Sequence, residues 1–335
     1  MNLFVAIPIG LLPVFLFLAG GMWMDGYKLV HFRSILKAII VGGGAAAVIM
    51  IVHISLLRYG GVSLMTLIRY IAPVSEELVK AAPVVYLIRS HKVGFVVDAA
   101  ILGFAVGAGF AFVENIYYLN QLEGAGLATW VARGFGTAVM HGSTTAMFAI
   151  ISKGMSDRHN SLSPVYFLPG LLLAMLIHFL FNQVFISVLA IAFLQAAFLP
   201  PLLLAVFARS EKATRDWLGM GFDTDAELLE LLHSGEFTDT RVGRYLTSLR
   251  KQFPGAIVAD MLCLIEINLE LSMRAKGILM AREAGIDMKP DERVKANLKE
   301  LEFLEKAIGK TGQLAIAPFI RRSRRDLWQL YMLSK

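Results

Sequence analysis

The sequence predicts an all-α protein. It reads as a polytopic membrane helix bundle of about seven spans, N-terminus outside, followed by a C-terminal cytoplasmic helical domain. Three observations predict this. The 335 residues are 56% hydrophobic and only 17% charged, with a mean hydropathy of +0.62, too apolar for an ordinary soluble domain. The charge is unevenly spread: residues 1–208 hold 11 of the 32 Lys/Arg and 7 of the 26 Asp/Glu, which divides the chain into a membrane domain, 1–208, and a soluble-type domain, 209–335. Finally, the loops between the apolar runs alternate between basic and nearly uncharged.

Crossing a bilayer core takes roughly 18 apolar residues or more. Seven runs qualify, at about 2–24, 36–57, 64–89, 96–119, 128–152, 165–183 and 186–208. The basic residues follow the first run instead of preceding it, which reads as a span and not as a cleaved signal. Lys28, Arg33 and Lys37 follow span 1, Arg89 and Lys92 follow span 3, Lys153 and Arg158 follow span 5, and Arg209, Lys212 and Arg215 follow span 7. The intervening loops hold Arg58 and Glu123. This asymmetry puts the C-terminus in the cytoplasm, and it requires an odd number of spans. Gly42–Gly44 in span 2, and Gly103 and Gly107 in span 4, read as positions of close helix approach.

The net charge of +6 sits largely in these loops, so no nucleic-acid partner is expected. Cys263 is the only cysteine, which excludes an intrachain disulfide and a cysteine-based zinc site.

Several spans carry groups that hydrocarbon does not tolerate. Span 3 has Glu76, Glu77 and Lys80, span 4 has Glu114 and Asn115, span 5 has His141, and span 6 has His178 and Asn182. Glu77 lies 12 residues before Arg89, His141 lies 12 before Lys153, His178 lies 14 after Pro164 and Glu114 lies 16 after Asp98. At ~1.5 Å per residue, all are roughly 18–24 Å from the cytoplasmic edge. Intramembrane ionisable residues at one level mark a shared polar interior. Glu76 and Lys80 are i,i+4 neighbours and are expected to pair, which leaves Glu77 in a different environment. His178 and Asn182 share one helix face, as do Phe110 and Glu114.

Two histidines and a glutamate are a zinc-ligand set. His141 and His178 with one glutamate fit it, the expectation being Glu77, with Glu76 as the base that takes a proton from water and Glu114 as a further ligand or orienting group. Asn182 is the candidate donor to an oxyanion. A metal-free version, in which a glutamate and a histidine activate water directly, uses the same residues. No HExxH motif is present.

These residues resemble the motifs of the PrsW family of intramembrane proteases, a group related to the CAAX prenyl endopeptidases and bacteriocin-processing enzymes. The paired-glutamate motif reads EELVK, Glu76–Lys80. The second motif, FxxxE, reads FAFVE, Phe110–Glu114. The third reads HFLFN, His178–Asn182, and His141 matches a histidine of the intervening helix. The CAAX enzymes have a histidine where Glu114 stands, so prenylated substrates are not implied. The resemblance covers spans 3 to 6. It implies site-1-type cleavage of single-pass, membrane-anchored regulators such as anti-sigma factors in a bacterial plasma membrane. A proton-coupled carrier using the same glutamates and histidines as a relay, and a non-catalytic signalling scaffold, are the competing classes.

Residues 209–335 read as helices. DTDAELLELLHSGEF starts with a capping pattern and stops at Ser-Gly, the next long amphipathic run ends at Gly285, and a third begins after Pro290 and closes at Gly309. The stretch 256–271 reads as core, with a homo-oligomer face as the alternative. The basic tail around Arg321–Arg325 reads as a solvated face or as a contact with anionic lipid. No metal spacing or catalysis is expected in this region.

Overall fold

The computed structural model describes residues 3–122, 124–183, 188–234, 240–286, 288–320 and 324–334. Glu123, the Ser-Gly stop at Gly235 and the Arg321–Arg322 part of the tail therefore lie outside the described residues. Every described element is helical. The chain forms two compact units, Met1–Glu211 and Lys212–Lys335.

The first unit opens with α1 (Leu3–Trp23) and α2 (Phe32–Tyr59). A continuous helical stretch follows, made of α3 (Leu64–Thr66), a π-helical turn (Leu67–Ile71) and α4 (Ala72–Arg89). Next come α5 (Val96–Gln121), then α6 (Leu127–Val131), a second π-helical turn (Ala132–Ala138) and α7 (Val139–Arg158). A 3₁₀ turn (Pro164–Tyr166) leads into α8 (Leu168–Asn182). The long α9 (Val188–His233) contributes residues to both units.

Among the described residues, four helices are long and apolar enough to cross a membrane: Val5–Trp23, Phe32–Tyr59, Val96–Gln121 and Pro164–Asn182. The stretches expected as spans at 64–89 and 128–152 are also helical. Each contains a π-turn, and the first carries Arg69, Glu76, Glu77 and Lys80 within its apolar run.

α5 is the centre of the unit, buried along most of its apolar length, whereas under a third of each of the other three is buried. Lipid tails are as apolar as leucine, so close packing and polar contacts hold such helices together. Glycines provide that closeness. Gly42 of α2 lies against the carbonyl of Val106, and Gly109 of α5 lies against that of Ile39. On the opposite side, Gly107 abuts the carbonyl of His141, and a Cβ at Gly103 would stand 2.7 Å from that of Ala149. Gly44, expected in the same role, has nothing within 4 Å. The contact at Gly107 brings the backbone of His141 directly against α5.

The second unit contains α10 (Arg241–Leu249), α11 (Gly255–Glu283), α12 (Glu292–Ile316) and α13 (Arg324–Leu333). Met261, Leu264, Ile265, Leu271 and Leu279 of α11 are buried, so the 256–271 stretch is core of this unit. Asp291 caps α12 by accepting from Val294 N at 2.9 Å. Gly285 follows α11 with φ +81°, as its position after the amphipathic run predicts.

Two boundaries differ from expectation. The helix start expected at Asp223–Thr224 lies inside α9, where the Thr224 hydroxyl donates to the Met220 carbonyl at 2.8 Å and no capping break occurs. Gly309 has φ +64°, yet helical geometry resumes beyond it to Ile316, so it kinks the segment without ending it. In the tail, Trp328, Met332 and Leu333 are buried within the unit.

Candidate active site

The polar groups of α4, α5, α7 and α8 meet in one place. Glu77 is the most fully paired. Its Oε1 accepts from Lys80 Nζ at 2.5 Å, from His178 Nδ1 at 2.8 Å and from Thr144 Oγ1 at 3.3 Å. The expected pairing of Glu76 with Lys80 is thus replaced by an i,i+3 pair with Glu77, because Lys80 turns toward α7 and donates to His141 Nδ1 at 2.9 Å as well. The Lys80 ammonium also lies 5.1 Å from the centre of the Phe110 ring.

These partners set the histidine tautomers. A carboxylate only accepts, so His178 Nδ1 carries its proton and Nε2 presents a lone pair. An ammonium only donates, so His141 Nδ1 is the acceptor and its Nε2 carries the proton. That Nε2 lies 2.8 Å from Glu114 Oε2, and this buried oxygen has no other partner among the described residues. The two imidazoles meet edge to face, with centres 4.9 Å apart.

Glu76 is the contrast. It receives no hydrogen bond from the described residues. His178 Nε2 and His141 Nε2 stand 3.8 and 4.0 Å from its Oε2, and His53 Nδ1 stands 3.9 Å from its Oε1. A largely buried carboxylate ringed by imidazole nitrogens at these distances lacks a positive partner. One ligand atom each from Glu76, His141 and His178 lies within 4.8 Å of the others. Nitrogen and oxygen ligands about 2.0–2.2 Å from one zinc ion stand roughly 3–4 Å apart. The residues therefore fit a divalent cation, with Glu76 as its carboxylate. Glu77 and Glu114, expected beside the metal, lie outside this group and flank it through His178 and His141.

The Asn182 amide is engaged with the backbone. Its Nδ2 donates to the Ile68 carbonyl at 2.9 Å, and Gln183 Nε2 donates to that of Arg69 at 3.1 Å. The end of α8 thereby supplies donors to carbonyls of the first π-turn.

The structure also brings in residues that sequence reasoning passed over. His53 of α2 bonds Ser75 Oγ through Nε2 at 2.8 Å, while Ser75 donates to the Ile71 carbonyl at 2.8 Å. Ser75 is therefore the acceptor, and the His53 Nδ1 lone pair faces Glu76. Arg133, on the second π-turn, donates from Nη2 to Glu114 Oε1 at 3.2 Å and from Nε to Asn115 Oδ1 at 2.8 Å. Both are polar groups inside apolar runs, so the criterion that found His141 could have found them.

Residues 31–208, just over half of the chain, match the family described as PrsW family intramembrane metalloprotease. Neither the curated proteins nor the solved structures contain a match. The matched segment contains every residue of the cluster, so motif, geometry and family coincide: the chain belongs to the PrsW family of intramembrane metalloproteases, which are peptide-bond hydrolases.

Proposed function

We propose that Glu76, His141 and His178 hold a zinc ion, and that the cluster hydrolyses a peptide bond of a single-pass membrane protein. The observation that carries this reading is Glu76, a carboxylate without a hydrogen bond amid three imidazoles. When bound, the ion supplies Lewis acidity that polarises a carbonyl and makes water a stronger acid.

The chain's own groups do the rest. Glu77 fixes the His178 ring through Nδ1, as a carboxylate behind a ligating histidine does. An ion held by His141 Nε2 would need that nitrogen's lone pair, so the ring proton would sit on Nδ1 with Lys80 left to Glu77 alone. Glu114 Oε2, 2.8 Å from Nε2, would then be free to act as the base. The same oxygen then takes a proton from the attacking water as the new C–O bond forms. It returns the proton to the amide nitrogen as the C–N bond breaks.

Seven spans, an outside N-terminus and a cytoplasmic domain from about residue 209 complete the reading. The loop charges support that topology. A bacterial plasma membrane location, with a membrane-anchored regulator of the anti-sigma-factor type as substrate, follows the family motifs. We assign the cytoplasmic domain a role in regulation or assembly, with the basic tail near anionic lipid. The test uses purified protein in proteoliposomes with single-pass substrates. The reading requires cleavage that stops on chelation and in His178→Ala at unchanged thermal stability. Cleavage that survives either treatment overturns it.

A further inference from the structure

Arg133 belongs to none of the motifs that identify the site, yet its guanidinium is held from two edges and one face. Three residues of α5 bind its one guanidinium. Glu114 and Asn115 accept from Nη2 and Nε, and the ring of Tyr118, one turn on from Glu114, lies beneath the guanidinium carbon at 3.7 Å. Asn115 is anchored in turn, its Nδ2 donating to the Gly10 carbonyl of α1 at 2.7 Å. A planar fork stacked on an aromatic ring is a geometry that lysine does not reproduce.

The backbone around Arg133 is arranged for the same purpose. Arg133 precedes His141 by eight residues. In a regular α-helix that spacing leaves two side chains about 80° apart. The π-helical turn Ala132–Ala138 lies between them, and its wider turns reduce that offset, so Arg133 and His141 both reach Glu114. Gly134 within the turn abuts the carbonyl of Ile9, which holds the widened segment against α1. π-Turns of this kind commonly occur at functional sites.

The carboxylate of Glu114 is thus gripped at one oxygen and offered at the other: Arg133 takes Oε1, and Oε2 faces His141 Nε2 at 2.8 Å. We infer that Arg133 is a positioning residue that sets the His141 imidazole through Glu114, with Tyr118 and Asn115 holding the guanidinium in plane. The geometric part stands without a bound ion; its consequence for metal affinity rests on the reading of the site given above.

The experiment uses full-length, metal-free protein in detergent, labelled with ¹⁵N-histidine, with the His141 and His178 signals identified by their loss in His141→Asn and His178→Asn. Arg133→Lys is expected to move the His141 ring signals and leave those of His178 in place, while Tyr118→Phe, which keeps the ring, moves neither. Zn²⁺ titration of the same samples is expected to show affinity about 10- to 100-fold weaker in Arg133→Lys, the usual effect of losing a group behind a metal ligand. Unchanged His141 signals overturn the inference. So do shifts of both histidines together with a lowered melting temperature, which would mark Arg133 as a general packing residue. A wild-type protein that takes up no Zn²⁺ would refute the metal reading, and the histidine spectra would still decide the role of Arg133.

Discussion

Each unit of the molecule buries a polar cluster, and the two differ in how their charges balance. In the second unit, Lys276 Nζ meets Asp225 Oδ2 at 2.6 Å, and Ser272 donates to the same oxygen at 2.7 Å. One buried anion faces one buried cation with a hydroxyl to help, an arrangement that joins α9 to α11 and leaves no unmatched charge between the pair. In the first unit, three carboxylates, Glu76, Glu77 and Glu114, share two permanent cations. Lys80 is committed to Glu77, and Arg133 to Glu114. Glu76 is left over. A burial that balances can serve the fold alone, whereas a surplus carboxylate among imidazoles calls for a further positive partner.

The sharpest way to break that comparison is to remove the surplus group. Glu76→Gln is expected to lower cleavage by at least about 10⁴-fold, the scale for deleting one member of a set that acts as a unit, and to abolish Zn²⁺ uptake in a titration, with little change in melting temperature. Asp225→Asn should do the opposite, lowering the melting temperature while cleavage by the folded fraction persists. If Glu76→Gln melted early and Asp225→Asn did not, the assignment of function to one cluster and structure to the other would be reversed.

Breaking the balanced pairs separates the clusters further. Lys80→Met and Lys276→Met each strand a buried carboxylate, and each is expected to cost about 3–5 kcal/mol, read from thermal melts in detergent. Replacing both partners recovers stability in each case. Asp225→Leu/Lys276→Met should then remain active, whereas Glu77→Leu/Lys80→Met should not, because His178 has lost the carboxylate that fixes its ring.

A smaller effect tests the contact that places His141. Gly107→Ala pushes a methyl into the carbonyl of His141 and should cost about 1–3 kcal/mol as an overpacked contact, with a loss of cleavage beyond the loss of folded protein. Gly44→Ala, facing open space, is the control and should leave both unchanged.

The least effect is expected at Cys263, which belongs to neither cluster. Burial of part of the side chain, followed by the nearby carboxylates of Glu266 and Asp260, pushes its thiol up from the ordinary range. A raised value means less thiolate at a given pH. Alkylation at pH 8 should therefore be slower in the folded protein than after denaturation, and Cys263→Ser should leave cleavage intact.

Much of this was legible before any coordinates. The apolar runs locate the helices of the first unit, since spanning length and intramembrane charge are properties of local composition. The rule that marked Glu76, Glu77, Glu114, His141 and His178 needs only that hydrocarbon rejects charge. The same rule applied evenly would have included His53 and Arg133. Turn chemistry located Gly285 correctly and misplaced the start at Asp223, because a long helix can absorb a capping residue when its hydroxyl back-bonds to the preceding turn.

The sequence by itself therefore determined which residues are polar inside apolar helices and to which family they belong. Only the tertiary structure decided which carboxylate pairs with which cation. An i,i+4 spacing allows Glu76 to meet Lys80, but whether it does depends on where His141 and His178 arrive from α7 and α8. For His141 that arrival is set by Gly107 against its carbonyl and by the π-turn that carries Arg133. Partner choice is a competition among groups distant in the chain, and its outcome depends on distances that no local spacing records.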